Sequence, residues 1–374
     1  MTEDMIEMTR LCSVCFRMCR DYCSVAAATR KESDSPSNRA FFAEGIINEK
    51  RELTPEVVDY FFRCAICRAC REACETGQDT GEVMLNARRE LDEGLLPQRV
   101  KEIREKLING KLYGKTPKQT KDLLASKKAE RSAKTVIYLG DMVRAEGGET
   151  IKALFSLLEK LGVDFSVMDE DPDTGGILYY LGFTKDAVSR AEKLSKKVGD
   201  LSPETLVILT ADDLRMTNLV YSSIGVELKG TNIISLPEYL LKVLRESGPK
   251  LSSEKGLRVT YHDPCGLGRE LRIFEAPRQI INMVENLEFV ELPFSRDRAP
   301  CCGYGMGLSY THPDVAAKMA ERIVSIGSMS RADLLITGCP TCRDVILENF
   351  SKKVSEKPKI EIVDLPIFLD RILK

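Results

Sequence analysis

Residues 135–168 read TVIYLGDMVRAEGGETIKALFSLLEKLGVDFSVM. A β-branched run (TVIYL, 135–139) gives way to apolar residues at helical spacing (TIKALFSLLEKLG, 150–162), and a second short apolar run (VDFSVM, 163–168) follows. Strand, helix, strand in that order makes a parallel pair, because the crossover helix returns the chain to the same end of the sheet. The alternation continues through DAVSRAEKLSKKVG (186–199), TLVILT (205–210), a helix after Asp212, NIISL (232–236) and PEYLLKVLRES (237–247). A polar break, Ser247–Gly256, ends the series. It then begins again with LRVTY (257–261), PRQIINMVENL (277–287), EFVEL (288–292), PDVAAKMAERIVSIG (313–327), DLLIT (333–337), TCRDVILENF (341–350), KIEIVDL (359–365) and PIFLDRIL (366–373). The expected class is α/β, with two units of mainly parallel sheet over residues 134–250 and 251–374.

Laid side by side, the two units match Tyr138 to Tyr261, Phe165 to Phe289, Asp186 to Asp314 and Ile208 to Ile336, the pattern of an internal duplication. In that register Cys265 faces Met142, Cys301 and Cys302 face Asp173 and Thr174, and Cys339 and Cys342 face Ala211 and Leu214. One unit holds every thiol and its sister none, although Gly175 still lies opposite Gly303. Chance alignment of two α/β units is the alternative.

Upstream, residues 1–110 carry helical periodicity at Thr54–Phe62 and Gly81–Glu93 and read as a small, mostly helical domain. The Lys-, Gly- and Thr-rich stretch Asn109–Ser132 reads as an exposed connector, with the boundary drawn at residues 111–133. The 374 residues suffice for two or three domains with real cores. The 55 basic and 57 acidic side chains give a net charge of −2, which disfavours nucleic acid or an anionic bilayer as partner. No stretch reaches the roughly 18 apolar residues of a membrane span, and MTEDMIEMTR at the start has no apolar core, so the sequence points to the cytoplasm.

The thirteen cysteines fall into three tight groups, which metal ligation explains better than disulfides. Cys64, Cys67, Cys70 and Cys74 follow the C-x2-C-x2-C-x3-C spacing, in which one short loop wraps an iron–sulfur cubane and sends its fourth thiolate to a neighbouring cluster. Zinc sites pair two separated knuckles instead of packing four thiolates so closely. Cys12, Cys15, Cys19 and Cys23 form the partner group, one residue longer in the middle; Ser24 and Glu75 stand where a proline commonly follows. The expected cofactors are two [4Fe-4S] clusters, one on Cys12, Cys15, Cys19 and Cys74 and the other on Cys23, Cys64, Cys67 and Cys70; a non-crossed arrangement is the alternative. Arg17, Arg20, Arg63, Arg68 and Arg71 lie among these ligands, where cations would offset cluster charge; a solvated surface is the other reading. The third group, Cys265, Cys301-Cys302 and Cys339-Pro-Thr-Cys342, is assembled from segments near strand ends that converge on one crevice in an α/β sheet. Five thiolates exceed the needs of one zinc ion or one cubane.

YHDPCGLGR (261–269), CCGYGMG (301–307) and GCPTC (338–342) resemble the cysteine-rich CCG domain of the heterodisulfide reductase catalytic subunit and of iron–sulfur oxidoreductases such as the iron–sulfur subunits of glycolate, lactate and glycerol-3-phosphate dehydrogenases. SPSNRAFFAEGI and FFRCAICRACREAC resemble that family's two-cluster, ferredoxin-like domain, so the resemblance covers nearly the whole chain. It implies that Cys265, Cys301, Cys302, Cys339 and Cys342 hold one noncubane [4Fe-4S] cluster acting on a thiol/disulfide substrate, with electrons from a flavoprotein or membrane cytochrome partner. The family pairs two such clusters, whereas the first unit here is cysteine-free, and Gly266 stands where many relatives have a second histidine.

Reducing a disulfide to two thiols takes two electrons and two protons, so His262, three residues before Cys265, is a candidate proton donor beside Cys301 and Cys302. A buried turn histidine bonded to backbone is the plain alternative, and His312 opens a helix as a structural residue. The Gly303, Gly305, Gly307 run lacks the G-x-G-x-x-G spacing of a nucleotide loop, so electrons are expected from another subunit. Three readings therefore stand: a heterodisulfide-reductase-like enzyme subunit, a relay subunit wiring a flavin dehydrogenase to a carrier, and a zinc-stabilised scaffold.

Overall fold

The computed structural model of the protein describes residues 3–16, 18–130, 133–168, 170, 172–353 and 360–373. Arg17, one of the arginines named above, lies outside them.

The first unit forms a sheet of β1 (Thr135–Tyr138), β2 (Ser166–Val167), β3 (Thr205–Ile208) and β4 (Asn232–Ser235), in the order β2-β1-β3-β4. The second forms β5 (Ser252–His262), β6 (Glu285–Phe289), β7 (Leu334–Thr337) and β8 (Glu361–Asp364), in the order β6-β5-β7-β8. Every pairing in both sheets is parallel. The two orders are the same topology, and Tyr138 opposes Ile208 as Tyr261 opposes Ile336. At the sheet edge the sequence pairing is one residue out. Val136 opposes Ser166 and Val259 opposes Phe289, so Phe289 corresponds to Ser166 and not to Phe165.

Strand alternation divides the interior into two cores. Ile137, Val207, Val259, Tyr261 and Ile336 face one, closed by the helices Gly148–Lys160, Leu236–Ser247, Glu275–Asn282 and Leu365–Ile372. Val136, Tyr138, Leu206, Ile208, Leu335 and Ile362 face the other, which continues into Val58, Phe62, Ile66 and Leu85 of the N-terminal helices. Those helices begin where the chain supplies a cap and a proline: Ser35 accepts from Asn38 N ahead of Pro36, and Thr54 accepts from Val57 N ahead of Pro55.

Three sequence expectations change. The helix expected over 277–287 ends at Asn282, because Asn286 turns into the left-handed region at φ 63 and β6 has already begun. The polar break is half strand: Ser252 opposes Glu285, with a register shift before Leu257. The connector is not free. It contains the helix Lys118–Ala125, with Thr120 and Leu124 buried, and Ala129 N bonds Val167 O at 2.7 Å, covering the outer edge of β2.

Candidate metal centres

In the order 2-1-3-4 the chain leaves the two central strands in opposite directions, which opens a crevice at their carboxyl ends. Cys265 lies three residues beyond β5 and Cys339 two residues beyond β7, so they flank that crevice in the second unit. Cys342 sits in the first turn of the helix Pro340–Lys353, and the loop after β6 brings in Cys301 and Cys302. The Sγ atoms of Cys265 and Cys301 are 3.9 Å apart. Cys301 is coupled electrostatically to Cys302 and to Cys67, and Cys302 through Cys342 to Cys339. The structure thus brings all five thiols of the third group together, and Cys67 of the second group packs in one buried cluster with Cys301. Four of the five are buried; Cys265 alone is partly exposed. Bonding from Cys301 and then Cys342 holds the Cys302 thiol well below its ordinary range against burial, while Cys301 and Cys342 are pushed up.

The cysteine-free unit contributes an amide. Ala211 N points at Cys339 Sγ, 3.3 Å away. Gly266 backs onto the same loop, and a Cβ there would come within 2.9 Å of Ala211 O, so the position has no room for a side chain where the first unit presses in. The crevice of that first unit is lined by Gly140, Met142, Asp173, Thr174, Thr210 and Asp212. Its turn is kept: Gly175 at φ 82 and Gly303 at φ 96 each lie against an alanine backbone, Ala187 and Ala316, with no room for a side chain.

His262 is 1% exposed, and neither ring nitrogen has a hydrogen-bond partner, so it is not the backbone-bonded turn histidine of the plain reading. Burial lowers its pKa while the nearby Cys302 opposes the shift. His312 caps the helix Pro313–Met329, bonded through Nε2 to Asp59 at 3.1 Å.

The eight N-terminal thiols fall into two sets. Cys12 and Cys19 sense the charge of Cys15 and Cys74, whereas Cys23 and Cys70 sense Cys64 and Cys67; Cys19 also senses Cys23, so the sets adjoin. Cys23, Cys64, Cys67 and Cys70 line one small cavity. Its rim is strained: Ile66 and Arg68 take φ 46 and 61, which costs roughly 1–2 kcal/mol each, and Ile66 N approaches Cys64 Sγ at 3.4 Å. Four thiols and inward amides around one cavity fit a four-iron cluster. Among the described residues no three His, Cys, Asp or Glu side chains close around a single ion position. Burial pushes Cys12 up to about 11 and Cys19 to about 12, so a bound metal would have to displace their protons. Cys67 differs, held down to about 5 by its bond to Cys301, with burial opposing and Arg269 assisting.

The arginines read as charge compensators have carboxylate partners. Arg20 pairs with Glu32, Arg63 with Asp34 at 2.8 Å, Arg71 with Glu72 at 3.0 Å, and Arg68 with Asp79, Glu82 and Glu270. The arginines that reach the thiols are others. Arg39 Nη1 lies 3.7 Å from Cys23 Sγ, and Arg269 sits between Cys67, Cys265 and Cys301. Both lie inside the motifs SPSNRAFF and YHDPCGLGR, but nothing in their spacing separates them from surface arginines.

Residues 259–346 match the cysteine-rich CCG domain. Over 92% of its length the chain is 26% identical to 92% of a subunit of the dihydromethanophenazine:CoB–CoM heterodisulfide reductase of Methanosarcina barkeri. It is 29% identical over 75% of its length to 43% of a probable membrane-anchored ferredoxin of Chromohalobacter salexigens. Over 24% of its length it is 35% identical to 36% of the lactate utilization protein A of Oceanobacillus iheyensis. Among solved structures a glutamate racemase of Bacillus anthracis overlays at a TM-score of 0.33 with 10% identity, covering 64% of this chain and 79% of that one. No helix among the described residues is long and apolar enough to cross a membrane. With a cysteine-rich CCG domain at residues 259–346 and similarity to a heterodisulfide reductase subunit along most of its length, the chain resembles the CCG-domain iron–sulfur oxidoreductases of electron transfer.

Proposed function

We propose that this chain is the iron–sulfur subunit of a heterodisulfide-reductase-like complex, passing electrons from a partner to a thiol/disulfide substrate. Cys12, Cys15, Cys19 and Cys74 would hold one [4Fe-4S] cluster and Cys23, Cys64, Cys67 and Cys70 a second. Cys265, Cys301, Cys302, Cys339 and Cys342 would hold a third, noncubane in type, on the CCG unit of an ancestral duplication. The clusters would supply one-electron storage, which sulfur and carbon side chains lack. The observation that carries the reading is that Cys67 and Cys301 pack in one buried cluster, with Arg269 bonded both to the carbonyl of Cys67 and to that of Ala299 just before Cys301, which sets the second thiol set against the third. Two electrons and two protons convert a disulfide to two thiols. The electrons would come from a flavoprotein or membrane cytochrome subunit, and His262, buried with both ring nitrogens unpartnered, would pass on a proton without keeping it at rest, since burial favours its neutral form.

The relay reading has its own support. Four of the five thiols are buried and the sister unit has none, so a substrate would reach this site only past Cys265. The test is to titrate the reduced, anaerobic protein with disulfides carrying different substituents while following the paramagnetic signal of the third centre. A signal changed by one disulfide and not by its thioether analogue supports the enzyme; indifference to every thiol compound supports the relay.

A further inference from the structure

Most guanidinium groups near the thiols are neutralised by carboxylates. Arg88 and Arg269 are the exceptions; Arg88 donates to the carbonyls of Phe61, Tyr180 and Cys64 only, whereas the bonds that span two thiol groups are those of Arg269. Arg269 is 1% exposed, forms no ion pair among the described residues, and lies four residues beyond Cys265. Its Nε donates to Cys67 O at 2.6 Å, and its Nη1 donates to Ala299 O, two residues before Cys301, and to Asp297 O at 3.3 Å. Nη2 is buried with no partner. Its own carbonyl accepts from Arg71 Nη2 at 3.1 Å, which ties it back to the loop of Cys70.

The charged neighbours are already engaged. Glu270 accepts from Arg68 and lies 3.2 Å from Arg215, and the Asp297 carboxylate is paired with Arg272 at 2.7 Å. Carbonyl dipoles satisfy the hydrogens of a guanidinium but do not cancel its charge, and an uncompensated buried cation costs several kcal/mol. The groups left to compensate it are the sulfurs of Cys67, Cys265 and Cys301, the three thiols whose charge acts most on this arginine. One belongs to the second set and two to the third.

Resting on the cluster assignment made above, we propose that Arg269 is a positioning residue shared by two centres. It bridges the Cys67 loop to the segment before Cys301, and its unpaired charge favours the reduced form of both centres over the oxidised form. The first set, Cys12, Cys15, Cys19 and Cys74, is not among the groups that act most on this arginine and serves as an internal control.

The experiment is a potentiometric titration of the full-length anaerobic protein, with iron analysis, comparing wild type, Arg269→Gln and Arg269→Lys through the paramagnetic signals of the three centres. Arg269→Gln is expected to lower the reduced-to-oxidised ratio of the second and third centres at least tenfold at fixed potential, 59 mV for a one-electron couple, and to leave the first unmoved. Arg269→Lys restores the charge without the fork and is expected to recover most of that shift. Unmoved potentials in an iron-replete Arg269→Gln protein would overturn the proposal, as would a lysine variant no better than glutamine, which marks a structural role alone. If the glutamine variant loses iron, the lysine variant decides: wild-type iron and potentials support the proposal, and lost iron or lowered potentials overturn it. Wild-type protein without iron would instead remove the cluster assignment itself.

Discussion

The cysteine side chains differ from one another before any metal arrives. Cys12 and Cys19 are raised by burial to about 11 and about 12, whereas Cys67 is held at about 5 by its bond to Cys301. A thiol that is protonated at neutral pH must release its proton to bind iron, so affinity at the first set rises with pH through the neutral range. In competition with a chelator, the first centre is therefore expected to lose iron sooner at pH 6.5 than at pH 8.5; equal retention would contradict the burial argument. Cys302→Ser is expected to abolish the third centre and spare the other two, read by iron count and spectroscopy. Asp34, fully buried, is paired with Arg63 at 2.8 Å and lies 4.0 Å from Arg39. Asp34→Ala strands both guanidinium groups and is expected to cost about 3–5 kcal/mol in chemical denaturation. A cost below about 1 kcal/mol would show that the pair relaxes into solvent.

The elements were legible where the pattern is periodic and silent where contacts decide. Strand after strand follows its β-branched run, because those runs bury both faces of a parallel sheet. The helix at 277–287 read too long because Asn286 carries no signal of its left-handed turn, and the connector read as exposed because sequence does not show that a sheet edge needs cover. The thiols were legible by chemistry, the only residue type here with that spacing; Arg269 was not, because its meaning lies in what surrounds it. Gly175 tests the element level. With φ 82 and Ala187 O only 2.6 Å from where a methyl group would sit, Gly175→Ala is expected to destabilise the first unit by at least about 1 kcal/mol. An unchanged midpoint in denaturant would mean that this turn is not the constrained counterpart of Gly303.

At the scale of the molecule, two sheets of one topology meet so that the loop of the cysteine-free unit offers an amide to Cys339, while the N-terminal segment packs Cys67 in one cluster with Cys301. That arrangement sets the second thiol set against the third, and the most exposed thiol, Cys15, belongs to the first set. On the proposed assignment the order would run from an exposed centre to a buried one, which suits entry of electrons from a partner. The direct test is metal analysis of protein prepared without exposure to air, joined to spectroscopy of its paramagnetic centres. About twelve irons per chain in three distinguishable four-iron centres is the expected result; zinc with little iron, or thirteen cysteines that all titrate as free thiols, would contradict the account.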